Sequence, residues 1–321
     1  MKLLRHLLLA SAAMGMALGA SAADYPVKAV KIMLPYAAGG GADGLTRALA
    51  NRMSARWKQP VVVENRPGAG ATLGTAVAAQ SAPDGYMLLM TAGTLTVSPA
   101  MYPKLPYDVV KDFAPITLVA NSPFVLATRG DLGVNTVDEL IALARSKPGK
   151  LNYGSPGVGT LSHLTGELLK HLTGMDVVHV PFKGGVPAIA DMLAGRIDFL
   201  FDTPAAVLPH VNSGKFKAVA VTTSDRTSVL PNVPTIAESG QKGFDVRLWF
   251  GLLAPAGTPD SVIKEVREAT IAALADEDIA RSLAAQGLVS QTSTPAAFGQ
   301  VIKNELSVWA PIVKTANIKS Q

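Results

Sequence analysis

The chain has 321 residues, of which 48% are hydrophobic and 17% charged, and its formal net charge is +5. This hydrophobic content is sufficient for about two domain cores and excludes a disordered chain. Cysteine is absent, which excludes a disulfide scaffold, zinc–thiolate and iron–sulfur sites, a thiol nucleophile and a lipid-modified N-terminal cysteine.

The first 23 residues have the order of a secretory signal. Two basic residues, at positions 2 and 5, precede an apolar stretch over 7–18 and the small residues of 21–23. This order predicts a signal peptide cleaved after Ala22 or Ala23, and therefore an exported protein. The apolar stretch is shorter than the roughly 20 residues that a membrane-spanning helix needs. Since the remaining Lys and Arg are scattered and not interleaved with aromatic residues, we expect no nucleic-acid binding.

Short apolar runs alternate with helical patterns from residue 30 onward. The predicted strands lie at 30–34, 61–63 and 86–90, with helices at 45–57 and 72–80 between them. After a strand-rich stretch over 116–128 and a helix with a Thr136–Glu139 capping box, strands follow at 151–153, 177–180, 199–201 and 216–221, with helices at 161–172 and 186–194. The repeated βαβ order predicts two α/β units, each with a mainly parallel sheet flanked by helices.

The C-terminal part has a different pattern. A strand at 248–254 is followed by helices only, and Thr258 and Thr294 each precede a proline as predicted N-cap residues. One strand cannot build a third sheet, so we expect this segment to complete the first unit. The resulting prediction is a pair of α/β lobes joined by two crossover strands. Lobe 1 comprises residues 24–121 and 250–321, lobe 2 comprises residues 122–249, and a ligand cleft lies between them.

Glycine-rich turns connect several of the predicted strands to helices. The main examples are 35–44 (PYAAGGGADG) and 154–160 (GSPGVGT), and 181–185 (PFKGG) adds a cation. Unpaired amides and the positive end of the helix dipole favour an anion at such a turn. Because ligands of open α/β sheets bind beyond the C-terminal ends of the strands, these turns predict an anion-binding cleft.

Other chemistries receive less support from the residues. Gly39, Gly41 and Gly44 fit a dinucleotide fingerprint, but Asp43 places negative charge where a pyrophosphate would lie. Two alternatives stay open: a secreted α/β hydrolase that uses Ser155 with a histidine, although the nucleophile-elbow motif is absent, and a metal-binding protein. The metal ligands would be His163, Glu167 and His171 on one helix, and His179 is interpreted as a structural histidine. We expect binding without turnover, cofactor or metal.

Motifs spread over nearly the whole mature chain carry a family resemblance. They are 35–43 (PYAAGGGAD), 64–69 (ENRPGA), 83–86 (PDGY), 105–108 (LPYD) with 112–113 (DF), 153–159 (YGSPGVG), 179–184 (HVPFKG), 230–235 (LPNVPT) and 254–259 (APAGTP). In this order they resemble the Bug-type (TctC-like) extracytoplasmic solute receptors of tripartite tricarboxylate transporters.

The resemblance implies a monomeric, two-lobed periplasmic binding protein (type II-like). It would close on a small carboxylate and deliver it to a transporter with one large and one small membrane subunit; the identity of the carboxylate is not predicted. The implied ligand-binding residues are Tyr36, Ala37, Ala38, Gly39, Gly40, Gly41, Thr91 and Ala92 in lobe 1, and Ser155, Gly157, Gly159, Thr160, Lys183 and Asp202 in lobe 2.

Overall fold

A computed structural model describes residues 25–102, 104–227 and 230–318. The predicted signal peptide and its cleavage site after Ala22 or Ala23 lie outside the described residues. Among the described helices, none combines the length and the hydropathy of a membrane span.

The described strands form two sheets flanked by helices, which confirms the predicted α/β class. The first part of the chain contains β1 (Val30–Leu34), α1 (Gly41–Trp57), β2 (Val61–Asn65), α2 (Thr72–Ala79), β3 (Met87–Ala92), α3 (Thr94–Met101) and β4 (Phe113–Pro123). The second part contains β5 (Val125–Arg129), α4 (Val137–Ser146), β6 (Asn152–Ser155), α5 (Leu161–Thr173), β7 (Val178–Pro181), α6 (Gly185–Leu193), β8 (Phe199–Asp202), α7 (Pro204–Asn212) and β9 (Phe216–Val221). The chain then returns through β10 (Arg247–Pro255), α8 (Asp260–Leu274), α9 (Glu277–Ala285), β11 (Val289–Ser290) and α10 (Pro295–Thr315).

The strand order within the described residues is β11-β4-β10-β3-β1-β2 in the first sheet and β7-β6-β8-β5-β9 in the second. Both sheets are mixed rather than mainly parallel. The strands that helices connect, β1 to β3 and β6 to β8, pair in parallel. The strands next to the crossings, β4, β5 and β10, pair antiparallel with their neighbours because they enter the sheets from the opposite end.

Several predicted boundaries need correction. Helix α3 was not predicted, since β-branched threonines and an internal Pro99 hide its helical pattern. The C-terminal part does not consist of helices only, because β11 pairs with β4. Thr258 does not cap α8: its hydroxyl donates to the Pro255 carbonyl at 2.8 Å, and Pro259 occupies the N-cap position.

Two predicted helix starts are confirmed at the level of hydrogen bonds. The Thr136 hydroxyl accepts from the Glu139 amide at 3.1 Å, while the Glu139 carboxylate accepts from the Asn135 amide at 2.6 Å. Thr294 likewise accepts from the Ala297 amide at 3.2 Å. Such caps satisfy amides that have no partner inside the helix.

Helix α10 is shared between the cores of the two sheets. Its first half buries Phe298 and Ile302 in a cluster against the first sheet. Its second half buries Trp309 and Ile312 in the cluster of the second sheet. The helix therefore crosses from one core to the other in addition to the connecting strands.

The chain passes between the two sheets twice, and Thr222, which is fully buried, is hydrogen-bonded to both connections. Its hydroxyl donates to the Val246 carbonyl at 2.6 Å and accepts from the Phe124 amide at 2.9 Å. Its own backbone exchanges hydrogen bonds with the same two residues. The chain passes to the second sheet at Phe124 and returns ahead of Arg247, so this threonine lies where the two connections meet.

Candidate binding site

The strand register places the candidate loops next to the two connections between the sheets, called the crossing below. In the first sheet, β10 begins at Arg247 opposite Pro123 and reaches Phe250 opposite Ala92, so the last residues of β3 and β4 lie at the crossing. In the second sheet, β5 begins at Val125, opposite the last residues of β8 and β9. The C-terminal ends of the parallel strands in both sheets therefore border the crossing. Helices α1, α2 and α3 begin at this edge of one sheet, and α5, α6 and α7 begin at this edge of the other.

The first glycine turn is exposed and ends in an open helix start. Residues 37–41 are exposed, and Gly39 adopts φ +85°, a left-handed conformation suited to glycine. Gly40 is the N-cap of α1 and provides no side-chain cap. The amides of Gly41, Ala42 and Asp43 have no acceptor among the described residues. This turn therefore presents unpaired donors at the positive end of a helix dipole.

Asp43 holds this turn in shape. Its carboxylate accepts from the Gly39 amide at 2.9 Å, from Asn65 Nδ2 at 2.9 Å and from Arg47 Nε at 3.0 Å. The hydrogen bond from Arg47, followed by those from Gly39 and Asn65, lowers the pKa of Asp43 to about 2. The carboxylate of Asp43 therefore stabilises the turn itself, a role that the glycine pattern alone did not reveal.

Tyr36 connects the first turn to the end of β3. Its hydroxyl lies 2.6 Å from Thr94 Oγ1 and accepts from the Ala92 amide at 3.2 Å. Ala92 therefore offers no free amide to a ligand. Thr91 is buried, and its Oγ1 has no hydrogen-bond partner within the described ranges.

The start of α3 adds donors that sequence reasoning missed. Gly93 is the N-cap without a side-chain cap, and the amides of Thr94 and Leu95 lack an acceptor within the described part of the chain. The signal in the sequence is the Thr91-Ala92-Gly93 end of β3, but the helix behind it was not predicted.

The second glycine turn, between β6 and α5, is more self-contained. The Gly159 amide donates to His163 Nδ1 at 3.0 Å, and the Gly157 amide donates to Ser155 Oγ at 3.2 Å. Thr160 caps α5 by accepting from the His163 amide, and its hydroxyl donates to the Gly157 carbonyl at 2.8 Å. Because these amides are occupied, the donors left at this turn include those of Leu161 and Ser162, for which the described residues provide no acceptor.

Two stacked histidines support the second turn from behind. The rings of His163 and His179 have centroids 3.7 Å apart and an interplanar angle of 11°. His179 Nε2 lies 2.7 Å from Ser155 Oγ. Burial, the largest cause in both cases, lowers the pKa of His163 to about 4 and that of His179 to about 3, so both rings are neutral at neutral pH. Since His163 Nδ1 accepts from Gly159, its ring proton is on Nε2.

The residues around the two histidines also test the alternative functions, a hydrolase that uses Ser155 and a metal-binding protein. Ser155 and His179 are in contact, but a histidine with so low a pKa is a poor general base at neutral pH. Glu167 is bonded to Tyr153 and Lys170, at 2.6 and 2.9 Å, and His171 is exposed. Within the described residues, no group of three or more His, Asp or Glu side chains is arranged to hold a metal ion.

The remaining predicted residues, Lys183 and Asp202, lie at the ends of β7 and β8. Lys183 is exposed, whereas Asp202 is partly buried and accepts from the Thr203 amide at 2.7 Å. Burial raises the pKa of Asp202. Thr203, the N-cap of α7, makes no side-chain cap bond, and the other Asp202 oxygen lies beside Gly185 at the start of α6.

Comparisons with known proteins agree with this architecture. The model of the tripartite tricarboxylate transporter family receptor (TctC) matches residues 45–318. BugT of Bordetella pertussis is 35% identical over 307 residues, covering 95% of this chain and 94% of BugT.

Solved structures extend the likeness to three dimensions. A TctC solute-binding protein from Polaromonas has a TM-score of 0.83 and 29% identity, covering 91% of this chain and 99% of that one. MatC from Rhodopseudomonas palustris, with bound malate, has a TM-score of 0.71 and 33% identity, covering 90% and 100%. The two-lobed binding-protein fold and the predicted resemblance are confirmed, and the chain belongs to the tripartite tricarboxylate transporter receptor family.

Proposed function

We propose that this protein captures a small carboxylate in the periplasm and delivers it to the large and small membrane subunits of a tripartite tricarboxylate-type transporter. The carboxylate binds between lobe 1, residues 24–121 and 250–321, and lobe 2, residues 122–249. The observation that carries the proposal is the set of unpaired amides at the starts of α1 and α3 in one sheet and α5 in the other. They border the same crossing and offer hydrogen bonds to an anion from two sides.

Neutral backbone amides are well suited to binding a carboxylate. They pair with a carboxylate without the desolvation cost of burying a cationic side chain, and closure of the lobes strengthens each bond by excluding water. Family membership and the malate bound by MatC support the ligand class. The sequence-based residues retained as ligand contacts include Gly40 and Gly41 in lobe 1. In lobe 2 the amides of Leu161 and Ser162 are added, because the hydroxyls of Ser155 and Thr160 are already hydrogen-bonded within the turn.

Gly40 provides a direct test. A Cβ at this position would meet only the Ala37 carbonyl, at 3.9 Å, so the fold tolerates a side chain there. We expect Gly40→Leu to weaken binding at least about 100-fold by keeping the ligand away from the helix start, a loss of about 2.7 kcal/mol. Isothermal titration of the purified protein with malate, succinate, adipate and citrate measures the effect.

A matched control is Gly299→Leu in α10. Its Cβ would lie 3.6 Å from Pro115, and the position borders a cavity of about 790 Å³ next to the start of β4, at the opposite end of the sheet. This variant should bind like the wild type, for which we expect a Kd between nanomolar and micromolar, about −8 to −12 kcal/mol. Full-strength binding by Gly40→Leu would refute the assignment of the turn.

A further inference from the structure

The helices on the two faces of each sheet belong to different core clusters. Neighbouring residues of a strand point to opposite faces of its sheet. In the first sheet, Leu252 packs in the cluster that contains α9, and Leu253 packs in the cluster that contains the first half of α10. In the second sheet, Leu200 packs with α7 and Phe201 packs with α5. Helices α9 and α7 therefore lie on the faces that α10 and α5 do not cover.

The two halves of the protein are joined differently on these two sides. On the side of α10, Val97 of α3 and Trp309 of α10 are buried in the core cluster of the second sheet. On the other side, Leu283 of α9 and Val207 of α7 belong to separate clusters. Movement of α7 away from α9 breaks no shared core, so this is the side on which the halves separate.

The contact on this side is made by the turn after α9. Gly287 ends the helix in the left-handed conformation, with φ +68°. Its amide donates to the Ala284 carbonyl at 3.0 Å, and the Leu288 amide donates to the Leu283 carbonyl at 2.9 Å. This is a common way to end a helix with glycine. Gly287 is nevertheless buried, because the start of α7 lies against it.

Gly287 and α7 approach each other too closely for a side chain. A Cβ on Gly287 would lie 2.9 Å from the amide nitrogen of Ala205, 3.3 Å from its Cβ and 3.5 Å from Pro204 Cδ. The nearest of these atoms belongs to the backbone of a helix and cannot rotate away. Any other residue at this position therefore requires the turn and α7 to move apart.

The same turn borders the proposed anion site in the first sheet. The side-chain amide of Gln286 donates to the Ser282 carbonyl at 3.1 Å, which leaves its Oε1 beside Gly41. Gly41 is the first residue of α1, and its amide is one of the unpaired donors described above. Residues 286 and 287 thus lie between the start of α1 in one half and the start of α7 in the other.

We propose that Gly287 is a positioning residue for ligand capture: the missing side chain lets α7 reach the turn after α9, and this contact sets the closed arrangement in which both halves bind the carboxylate. The inference rests on the proposed function. A side chain at position 287 holds the halves apart and lowers the population of the closed state, and the apparent Kd rises in proportion.

Gly174 provides a matched control. It ends α5 with φ +67°, and a Cβ there would meet nothing within 4 Å. Gly287→Ala and Gly174→Ala impose the same backbone strain, so urea denaturation should show similar losses of stability. Calorimetry should show that Gly287→Ala binds malate about tenfold more weakly than wild type and Gly287→Leu at least about 100-fold more weakly. Gly174→Ala should bind malate like wild type.

A distance measurement tests the contact without relying on the ligand. The chain has no cysteine, so nitroxide labels on Ala280→Cys in α9 and Ser213→Cys at the end of α7 report the separation of the halves by electron paramagnetic resonance. Ligand-free wild type and Gly174→Leu should both show the short distance of this structure, and Gly287→Leu should lose it.

Equal malate affinities of Gly287→Ala and Gly174→Ala would overturn the proposal, as would a short distance that survives in Gly287→Leu. If malate binds to none of these proteins, including wild type, the proposed function fails for this ligand. The ligand-free distances then still decide whether Gly287 sets the approach of the two halves.

Discussion

The glycine turns after β1 and β6 occupy equivalent positions in the two sheets but are held by different chemistry. The first is fixed by an ionised carboxylate, Asp43, with Arg47 and Asn65 as partners. The second is fixed by neutral histidines, His163 and His179, stacked behind it. Equivalent topology therefore determines where a turn lies, and the local side chains determine the conditions under which it keeps its shape.

The two supports differ in their response to acid. The pKa of Asp43 lies at about 2, so its network persists well below neutral pH. His163 accepts a hydrogen bond only while its Nδ1 is unprotonated, and so the second turn depends on a group that acid converts into a donor. We expect the two lobes to lose their binding geometry at different pH values.

The largest expected effect comes from removing the first support. Asp43→Ala removes the acceptor of the Gly39 amide and one partner each of Asn65 and Arg47. Asn65 keeps its bond to the Tyr36 carbonyl, and Arg47 keeps its bond to Asn65. We expect a loss of about 2–4 kcal/mol in the free energy of unfolding, measured by urea denaturation, and carboxylate binding about 10- to 100-fold weaker. The weaker binding reflects a disordered first turn.

Asp43→Asn is the graded control for this change. Its side-chain oxygen still accepts from Gly39, but the charge facing Arg47 is gone, so stability and affinity should fall between those of wild type and Asp43→Ala. If Asp43→Ala bound ligand like wild type, the shape of the first turn would not matter for binding and the contrast between the two turns would lose its functional meaning.

The second support is tested by pH. The pKa values of His163 and His179 lie below their ordinary value of 6.5, at about 4 and about 3, so the unfolded state binds more protons than the folded state in this range. Each histidine stabilises the fold fully above pH 6.5 and loses about 1.4 kcal/mol of that contribution per unit as the pH falls toward its folded value.

His163→Phe isolates one of these contributions. Glu305, whose folded pKa of about 7 acts in the opposite direction, contributes equally to both proteins, so the difference in slope between wild type and variant from pH 6.5 to 4.5 belongs to the histidine cluster. The slope of stability against pH should decrease by about 1.4 kcal/mol per unit. Identical slopes would show that His163 does not titrate differently in the folded chain.

The sequence was sufficient to find the turns but not their supports. Glycines between an apolar run and a helical pattern predicted both turns, because that information is local. The His163–His179 stack, by contrast, joins α5 to β7. The hydroxyl of Thr222 likewise bonds residues that lie 98 and 24 positions away from it in the sequence. Such contacts depend on how the sheets assemble, and a lone threonine or histidine in the sequence carries no sign of them. Helix α3 was missed for the same reason, since its stability comes from burial of Leu95 and Val97 rather than from helix propensity.

The smallest expected losses of stability come from variants that change the connections between the two sheets and leave both turns intact. Thr222→Val removes the hydroxyl that bonds Phe124 and Val246 and should cost about 1–3 kcal/mol, with both turns intact. Thr128→Val in β5 is the matched control, since Thr128 is equally buried but its Oγ1 has no hydrogen-bond partner in the part of the chain that the structure describes. It should be neutral or slightly stabilising, because valine places no polar atom in the core. Thermal unfolding of the two variants gives the comparison, and equal losses would show that shape alone, and not the hydroxyl of Thr222, joins the two connections between the lobes.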